Sequence, residues 1–284
     1  MSNPFSQFPL FRSSYENMTR TEKRIAEYIV THEKTMMSET VSSLAKNTQS
    51  SEITISRFCK KLGFSGLQAL KISLAADIAT AEDNTSYHMI MPDDTTDIIA
   101  ARVFQNIMDG LTDTLKILDF DAVDKAAEAL IAARQILVYG FGNSATVCRD
   151  IETRFLRFGF LIHAYADAHL QATTAAYTKP DDVVIAVSHR GTTRELLESV
   201  NLAKENGATI IALTSYIHSP LAEKANIVLS GMGREVHFTS EAIASRLVHM
   251  AISDVLYTAI AKKMPDKYQE NMTKMRAVIA KKKL

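Results

Sequence analysis

Up to about residue 133 the apolar positions of this chain recur at three and four residues; beyond it they run together in short blocks. The first grammar predicts helices and the second buried strands. Residues 1–18 fit neither and read as a loose arm holding two prolines. From Thr19 the pattern turns helical: Ile25, Tyr28 and Ile29 define the first helix, with Thr21, Lys23 and Arg24 marking its start. A short helix follows over 41–46, then a polar break at 47–50. The next helix spans 51–62, capped by Ser51 and ended by Gly63, and another spans 64–77, with Leu67, Leu70, Ile72 and Leu74 placed for packing. Residues 78–97 show no clean period, and two helices are expected over 98–118 and 121–133.

Five apolar runs then follow, at 135–139, 161–165, 181–188, 209–215 and 225–231. Helical stretches at 145–158, 192–206 and 218–225 separate most of them, and a long helix is expected over 240–264, before a basic tail ending in Lys281, Lys282 and Lys283. Apolar strands alternating with helices argue for a parallel sheet covered on both faces. The expected architecture is two domains: an all-α bundle over 1–77, a linker over 78–105, and an α/β domain over 106–284 with a five-stranded parallel sheet flanked by helices.

Length and composition agree with this division. A chain of 284 residues that is 46% hydrophobic and 23% charged fills two ordinary cores. Its net charge is zero, but unevenly laid out. Residues 53–76 hold four bases (Arg57, Lys60, Lys61, Lys71) and no acid, whereas residues 80–135 hold eleven acids and four bases. A basic segment beside a neutral body fits a nucleic-acid-binding head. The two cysteines, Cys59 and Cys148, form neither a CxxC nor a zinc spacing. With no signal peptide at the amino terminus and no apolar run near the roughly 20 residues of a membrane span, a cytoplasmic location without membrane attachment is expected.

Three polar loops follow strands: Gly142-Asn143-Ser144, the stretch from Ser188 to Thr193, and Thr214-Ser215. Ligands of open parallel sheets sit outside the carboxyl ends of the strands. There, hydroxyls and helix amino termini attract a phosphate, and Gly142 and Gly191 let the backbone come close to it. Helix capping is the competing use of such hydroxyls. A dinucleotide site is disfavoured, because Ala145 stands where a third glycine belongs and no acid closes a following strand.

In the head, residues 40–62 have helix-turn-helix spacing. Ile55, Phe58 and Leu62 point inward, leaving Ser51, Thr54, Ser56, Arg57, Lys60 and Lys61 toward DNA. Arginine pairs with guanine in two-point fashion and lysines suit phosphates.

Two resemblances sharpen these readings. Residues 120–262 resemble a sugar isomerase (SIS) domain. The family's GxGxS loop is matched by Ser144, its SxSGxT loop by Ser188, Gly191 and Thr193, and its third loop by Thr214 or Ser215; Arg190 stands where a second serine is usual. "TRTEKRIAEYIV" and "SRFCKKLGFSGLQALK" resemble the amino-terminal domain of RpiR/MurR transcriptional regulators, the likeness covering roughly residues 5–262. Gln49 replaces the usual turn glycine and Ser50 an apolar residue.

The resemblance implies a regulator of carbohydrate metabolism that binds a double-stranded DNA operator and senses a phosphorylated sugar, as a homodimer or homotetramer. The implied effector residues are Gly142, Asn143, Ser144, Ser188, His189, Arg190, Gly191, Thr192, Thr193, Thr214, Ser215 and Glu241. No residue is assigned to catalysis, a metal or a cofactor. The alternative is a sugar-phosphate isomerase of the same fold, with Glu241, His237 or His189 as its base.

Overall fold

The structure, a computed structural model, describes residues 8–81, 90–233 and 243–282. The chain divides into two compact units, the break falling between Gln105 and Asn106.

The first unit is helical: α1 (Pro9–Ser14), α2 (Arg20–Thr31), α3 (Glu33–Met36), α4 (Val41–Asn47), α5 (Glu52–Lys61) and α6 (Leu67–Ala81). The expected loose arm is instead structured from residue 8 on. Phe8 and Phe11 are about 1% exposed, and Phe11 lies against Phe58 with ring centroids 6.1 Å apart. Burying an aromatic of this size contributes about 2–3 kcal/mol, enough to hold one short turn of helix on a larger core. Helix α2 opens at Thr19, where the pattern turns helical, and Thr21 lies inside its first turn. Thr19 is its cap, accepting from the Glu22 amide while Glu22 accepts from the Thr19 amide. That reciprocal pair satisfies two otherwise unpaired donors.

Leu67, Leu70 and Leu74 enter the core as expected, but Ile72 is 74% exposed. It lies five residues from Leu67, about 140° around the helix. Helix α6 continues to Ala81, so residues 78–81 are helical, not linker.

The long helix α7 (Thr96–Ile117) begins within the stretch read as connecting sequence. After it come α8 (Phe120–Ala132), β1 (Gln135–Tyr139), α9 (Asn143–Phe155), β2 (Ile162–Tyr165), α10 (Ala168–Ala176) and β3 (Asp182–Val187). The remainder is α11 (Arg194–Glu205), β4 (Thr209–Thr214), α12 (Pro220–Lys224), β5 (Ile227–Ser230), α13 (Ile243–Lys263) and α14 (Pro265–Ala280). The sequence reading missed α1, α3, α10 and α14. The amino-terminal start expected for the last long helix lies outside the described residues.

All five strands run parallel in the order β2-β1-β3-β4-β5, with Ile136 beside both Ile162 and Val183, and Ile211 beside Ile227. Successive residues point to opposite faces, so each strand feeds two cores. Ile136, Val138, Ile185 and Leu213 pack with residues of α8, α9 and α13. Leu137, Val184, Ala186 and Ile210 pack with Ala175 of α10 and with Leu196, Val200 and Ala203 of α11. That is why the strands read as unbroken apolar runs.

Candidate functional site

The sheet order makes β1 the turning point: β2 lies on one side of it and β3 on the other. Loops at the carboxyl ends of β1 and β3 therefore flank the crevice where such sheets bind ligands. Both loops lead straight into long helices, α9 and α11.

Capping separates these two helices from their neighbours. Helices α10 and α12, which follow β2 and β4, are capped by Asp167 and Ser219. Helix α9 begins at Gly142, which has no side chain, and Thr193 makes no side-chain cap on α11. The hydroxyls that could have been caps are not used so, and the positive ends of both dipoles face the loops.

The β3 loop is built as a rigid cradle. Ser188 is buried and its Oγ accepts from the Gly191 amide at 3.1 Å. Gly191 has φ +64°, and the Leu221 amide donates to its carbonyl at 3.1 Å. A Cβ on Gly191 would stand 2.5 Å from Ser219 Cβ and closer still to its Oγ. Only glycine fits. Arg190 and Thr192 are exposed, His189 and Thr193 half-buried. In the β1 loop Gly142 and Asn143 are exposed and Ser144 half-buried.

The third loop is placed differently. Thr214 and Ser215 are fully buried, and their hydroxyls are engaged inside the protein. Thr214 Oγ1 donates to the His189 carbonyl at 3.2 Å. Ser215 Oγ lies 2.9 Å from His189 Nδ1 and 3.1 Å from His249 Nε2, which is also 3.1 Å from the Gly231 carbonyl. Thus the third loop braces His189 from behind. Glu241 and His237 lie outside the described residues.

Sequence reading missed His249 and Ser219. A lone histidine on an apolar helix carries no pattern, and Ser219 shows its importance only through Gly191. Burial, helped by the neighbouring His189, pushes the His249 pKa down to about 3. The unfolded chain takes up this proton below the ordinary value near 6.5, whereas the folded protein refuses it until about pH 3. Stability is therefore expected to fall as pH drops through this window, at about 1.4 kcal/mol per pH unit from this group. Urea denaturation across pH 4–6.5 checks it: His249→Gln should flatten the slope, and an unchanged slope would assign it elsewhere.

The head presents a second surface. Arg24 of α2 braces the turn between α4 and α5, its Nε and Nη2 donating to the carbonyls of Thr48 and Gln49 at 2.7 and 2.9 Å. Gln49 itself sits at φ +47°, the left-handed conformation that suits the glycine usual there. Ser51 caps α5 by accepting from the Thr54 amide at 3.1 Å, and the two hydroxyls are 2.8 Å apart. Ile55 and Phe58 are buried; Ser56, Arg57 and Lys60 are exposed.

The other two bases face elsewhere. Lys61 pairs with Glu22 at 2.9 Å. Lys71 is buried, its Nζ donating to the carbonyls of Met37 and Glu39. Ile53, in the first turn of α5, is 67% exposed and was not singled out from sequence.

Among the described residues no helix is long and apolar enough to cross a membrane, and no His, Cys, Asp and Glu group could hold a metal.

Comparison with known proteins finds a match for each part of the chain. The model of the helix-turn-helix domain, rpiR family, matches residues 7–81, and the SIS domain model matches residues 129–259. An uncharacterised helix-turn-helix transcriptional regulator of Caldanaerobacter subterraneus is 34% identical over 94% of this chain and 95% of its own. A similarly described regulator of Clostridium perfringens is 31% identical over 92% and 94%. Among solved structures, the Vibrio vulnificus NanR protein complexed with ManNAc-6P is 27% identical, with a TM-score of 0.62, covering 98% of this chain and 99% of NanR. With its amino-terminal head, its SIS body and full-length relatives of the same organisation, the chain belongs to the RpiR family of helix-turn-helix transcriptional regulators.

Proposed function

We propose that this regulator senses a phosphorylated sugar at the crevice between β1 and β3 and controls genes of carbohydrate metabolism in the cytoplasm. One observation carries the effector reading: the helices flanking that crevice start without side-chain caps, whereas those after β2 and β4 are capped. A dianionic phosphate is the ligand such a pair of helix ends suits.

In this reading Gly142, Asn143 and Ser144, with Ser188, Gly191, Thr192 and Thr193, surround the phosphate. Arg190, exposed at the loop tip, contacts an anionic group of the effector. His189, held by Ser215, faces the sugar, while Thr214 and Ser215 act from the layer behind. The likeness to NanR makes ManNAc-6P the first ligand to test.

The head places α5 in the major groove. Arg57 and Ser56 read base edges, Ile53 meets a thymine methyl, and Lys60 contacts phosphate. Ser51 and Thr54 order the first turn of that helix, and Lys61 is anchored to Glu22 at its far end. As a homodimer or homotetramer the protein reads two half-sites related by a two-fold axis. Effector binding changes their spacing only by favouring one arrangement over the other.

We read the protein as a sensor, not an isomerase, since its full-length relatives are regulators. The test is a mobility shift on the gene's own upstream DNA at two salt concentrations, with and without a panel of sugar phosphates and the matching unphosphorylated sugars. The reading expects a phosphate-dependent change in DNA binding and no turnover. Isomerisation of any of these sugars without DNA binding would reverse it.

A further inference from the structure

Helix α13 carries a polar row inside its buried face. Ser245, His249 and Ser253 recur every four residues, so they stack along one side of the helix, and all three are buried. A buried polar side chain needs a partner. Ser245 Oγ accepts from the Gly233 amide at 3.1 Å, and Ser253 Oγ donates to the Met250 carbonyl at 2.9 Å. His249 reaches further: through Ser215 it is joined to His189 in the β3 loop.

The protons of this chain of bonds can be ordered from its fixed end. Gly231 is packed so closely that a Cβ there would lie 2.6–2.8 Å from the side chains of Thr114, Ile252 and Val248. Its carbonyl can only accept, so His249 Nε2, 3.1 Å away, carries a proton. Ser215 Oγ lies 3.1 Å from that same nitrogen and therefore faces a donor on that side. Among the described residues the other partner of this buried hydroxyl is His189 Nδ1, at 2.9 Å, which is left to accept the hydroxyl proton. A bare Nδ1 puts the proton of the neutral His189 ring on Nε2. A proton on Nδ1 would instead leave the buried Ser215 O–H between two donors, with no acceptor.

The backbone holds the ring in place as well. The His189 carbonyl accepts from the Ser215 amide at 3.0 Å and from Thr214 Oγ1 at 3.2 Å. Tyr216 lies edge-on to the ring, with centroids 5.5 Å apart. With Nδ1 tied to Ser215 in the layer behind, Nε2 leaves from the opposite side of the ring.

We infer that Ser215 and His249 are positioning residues that hold His189 as a hydrogen-bond donor through Nε2, so that the effector group His189 meets is an accepting oxygen and not an ammonium. This rests on the reading of the crevice between β1 and β3 as the effector site, and it gives one contact of that site a direction. A fixed donor rejects a ligand that offers it another donor, because one of the two is left unpaired.

NMR of the full chain with isotope-labelled histidine ring nitrogens tests it. Without ligand, and well above the ordinary histidine pKa of about 6.5, the spectrum reads which nitrogen of each ring is protonated. His189→Gln and His249→Gln identify the two sets of signals by deletion. The wild type should show both rings protonated on Nε2, with His189 Nδ1 bare. Ser215→Ala, which removes only the hydroxyl, should turn His189 into a mixture of tautomers and weaken binding of the sugar phosphate that acts on the wild type by about 10-fold.

A wild-type His189 protonated on Nδ1 overturns the inference, as does a folded Ser215→Ala variant of undiminished effector affinity. If Ser215→Ala does not fold, the wild-type spectrum decides alone. Failure of the effector reading shows separately: no sugar phosphate would then shift the wild-type melting temperature, whatever the proton pattern.

Discussion

Gly191→Ala is expected to abolish the effector's effect on the melting temperature while leaving DNA binding by the head intact. Two independent constraints meet at this residue. Its φ of +64° is one that a residue with a Cβ adopts only under strain, and the position of that Cβ is already filled by Ser219. Neither can relax cheaply. Ser219 caps α12 through the Ala222 amide, and the Gly191 carbonyl accepts from the Leu221 amide in the same turn.

The loop must therefore move off α12, and the bond from the Gly191 amide to Ser188 Oγ goes with it. Charge-assisted hydrogen bonds are worth about 1.5–3 kcal/mol each, so misplacing two donors weakens a phosphate ligand by roughly 100-fold or more. The local stability cost should exceed about 1 kcal/mol. Thermal-shift titration with the sugar phosphate that acts on the wild type measures the first, and unliganded melting the second. Wild-type affinity in Gly191→Ala would show that the effector does not use this loop.

Arg57→Ala carries the second large effect, a loss of about 10- to 100-fold in operator affinity. Four bases crowd residues 53–76, but only Arg57 and Lys60 keep their charges on the outward side of α5. A bidentate arginine contact to guanine discriminates by about 1–3 kcal/mol. Its removal should therefore relax sequence choice as well as affinity, whereas Lys60→Ala should weaken all sequences alike and lower the salt slope by about one.

Lys71→Met supplies the contrast. It removes an equal charge from the same segment, yet its amine is bound to the carbonyls of Met37 and Glu39. It should lower the head's stability by about 1–3 kcal/mol and leave the salt slope unchanged. Filter binding to matched and mismatched operators at several salt concentrations separates the three variants. Equal effects from Lys71→Met and Arg57→Ala would mean that bulk charge, not the face of α5, binds DNA.

The contrast also marks what a one-dimensional reading can recover. Strands and the helix-turn-helix were legible because burial on two faces leaves an unbroken apolar run and burial on one face leaves a stripe. The start of α2 was legible too, in the Thr19-x-x-Glu22 pattern, though Thr21 drew the eye. Helix α10 had no stripe to read, since its buried residues are only Gln171 and Ala175. Helix α14 hid behind Pro265, which looks like a stop and is a permitted first residue.

The candidate site shows the same limit. Ser188 and Gly191 announce themselves by type and spacing. What makes the loop rigid comes from Ser219, Ser215 and His249, which lie 24–58 residues beyond Gly191 in the sequence and meet it only through the sheet. Whether the serines and threonines cap helices or stand ready for a ligand depends on hydrogen bonds that no pattern of residues encodes.

The most direct measurement is a crystal structure of the full chain grown with ManNAc-6P, or with whichever sugar phosphate gives the largest thermal shift. The account predicts the phosphate between the first turns of α9 and α11, touching Ser144, Ser188 and Thr193. A phosphate bound away from both turns, with the crevice between β1 and β3 holding only solvent, would contradict it.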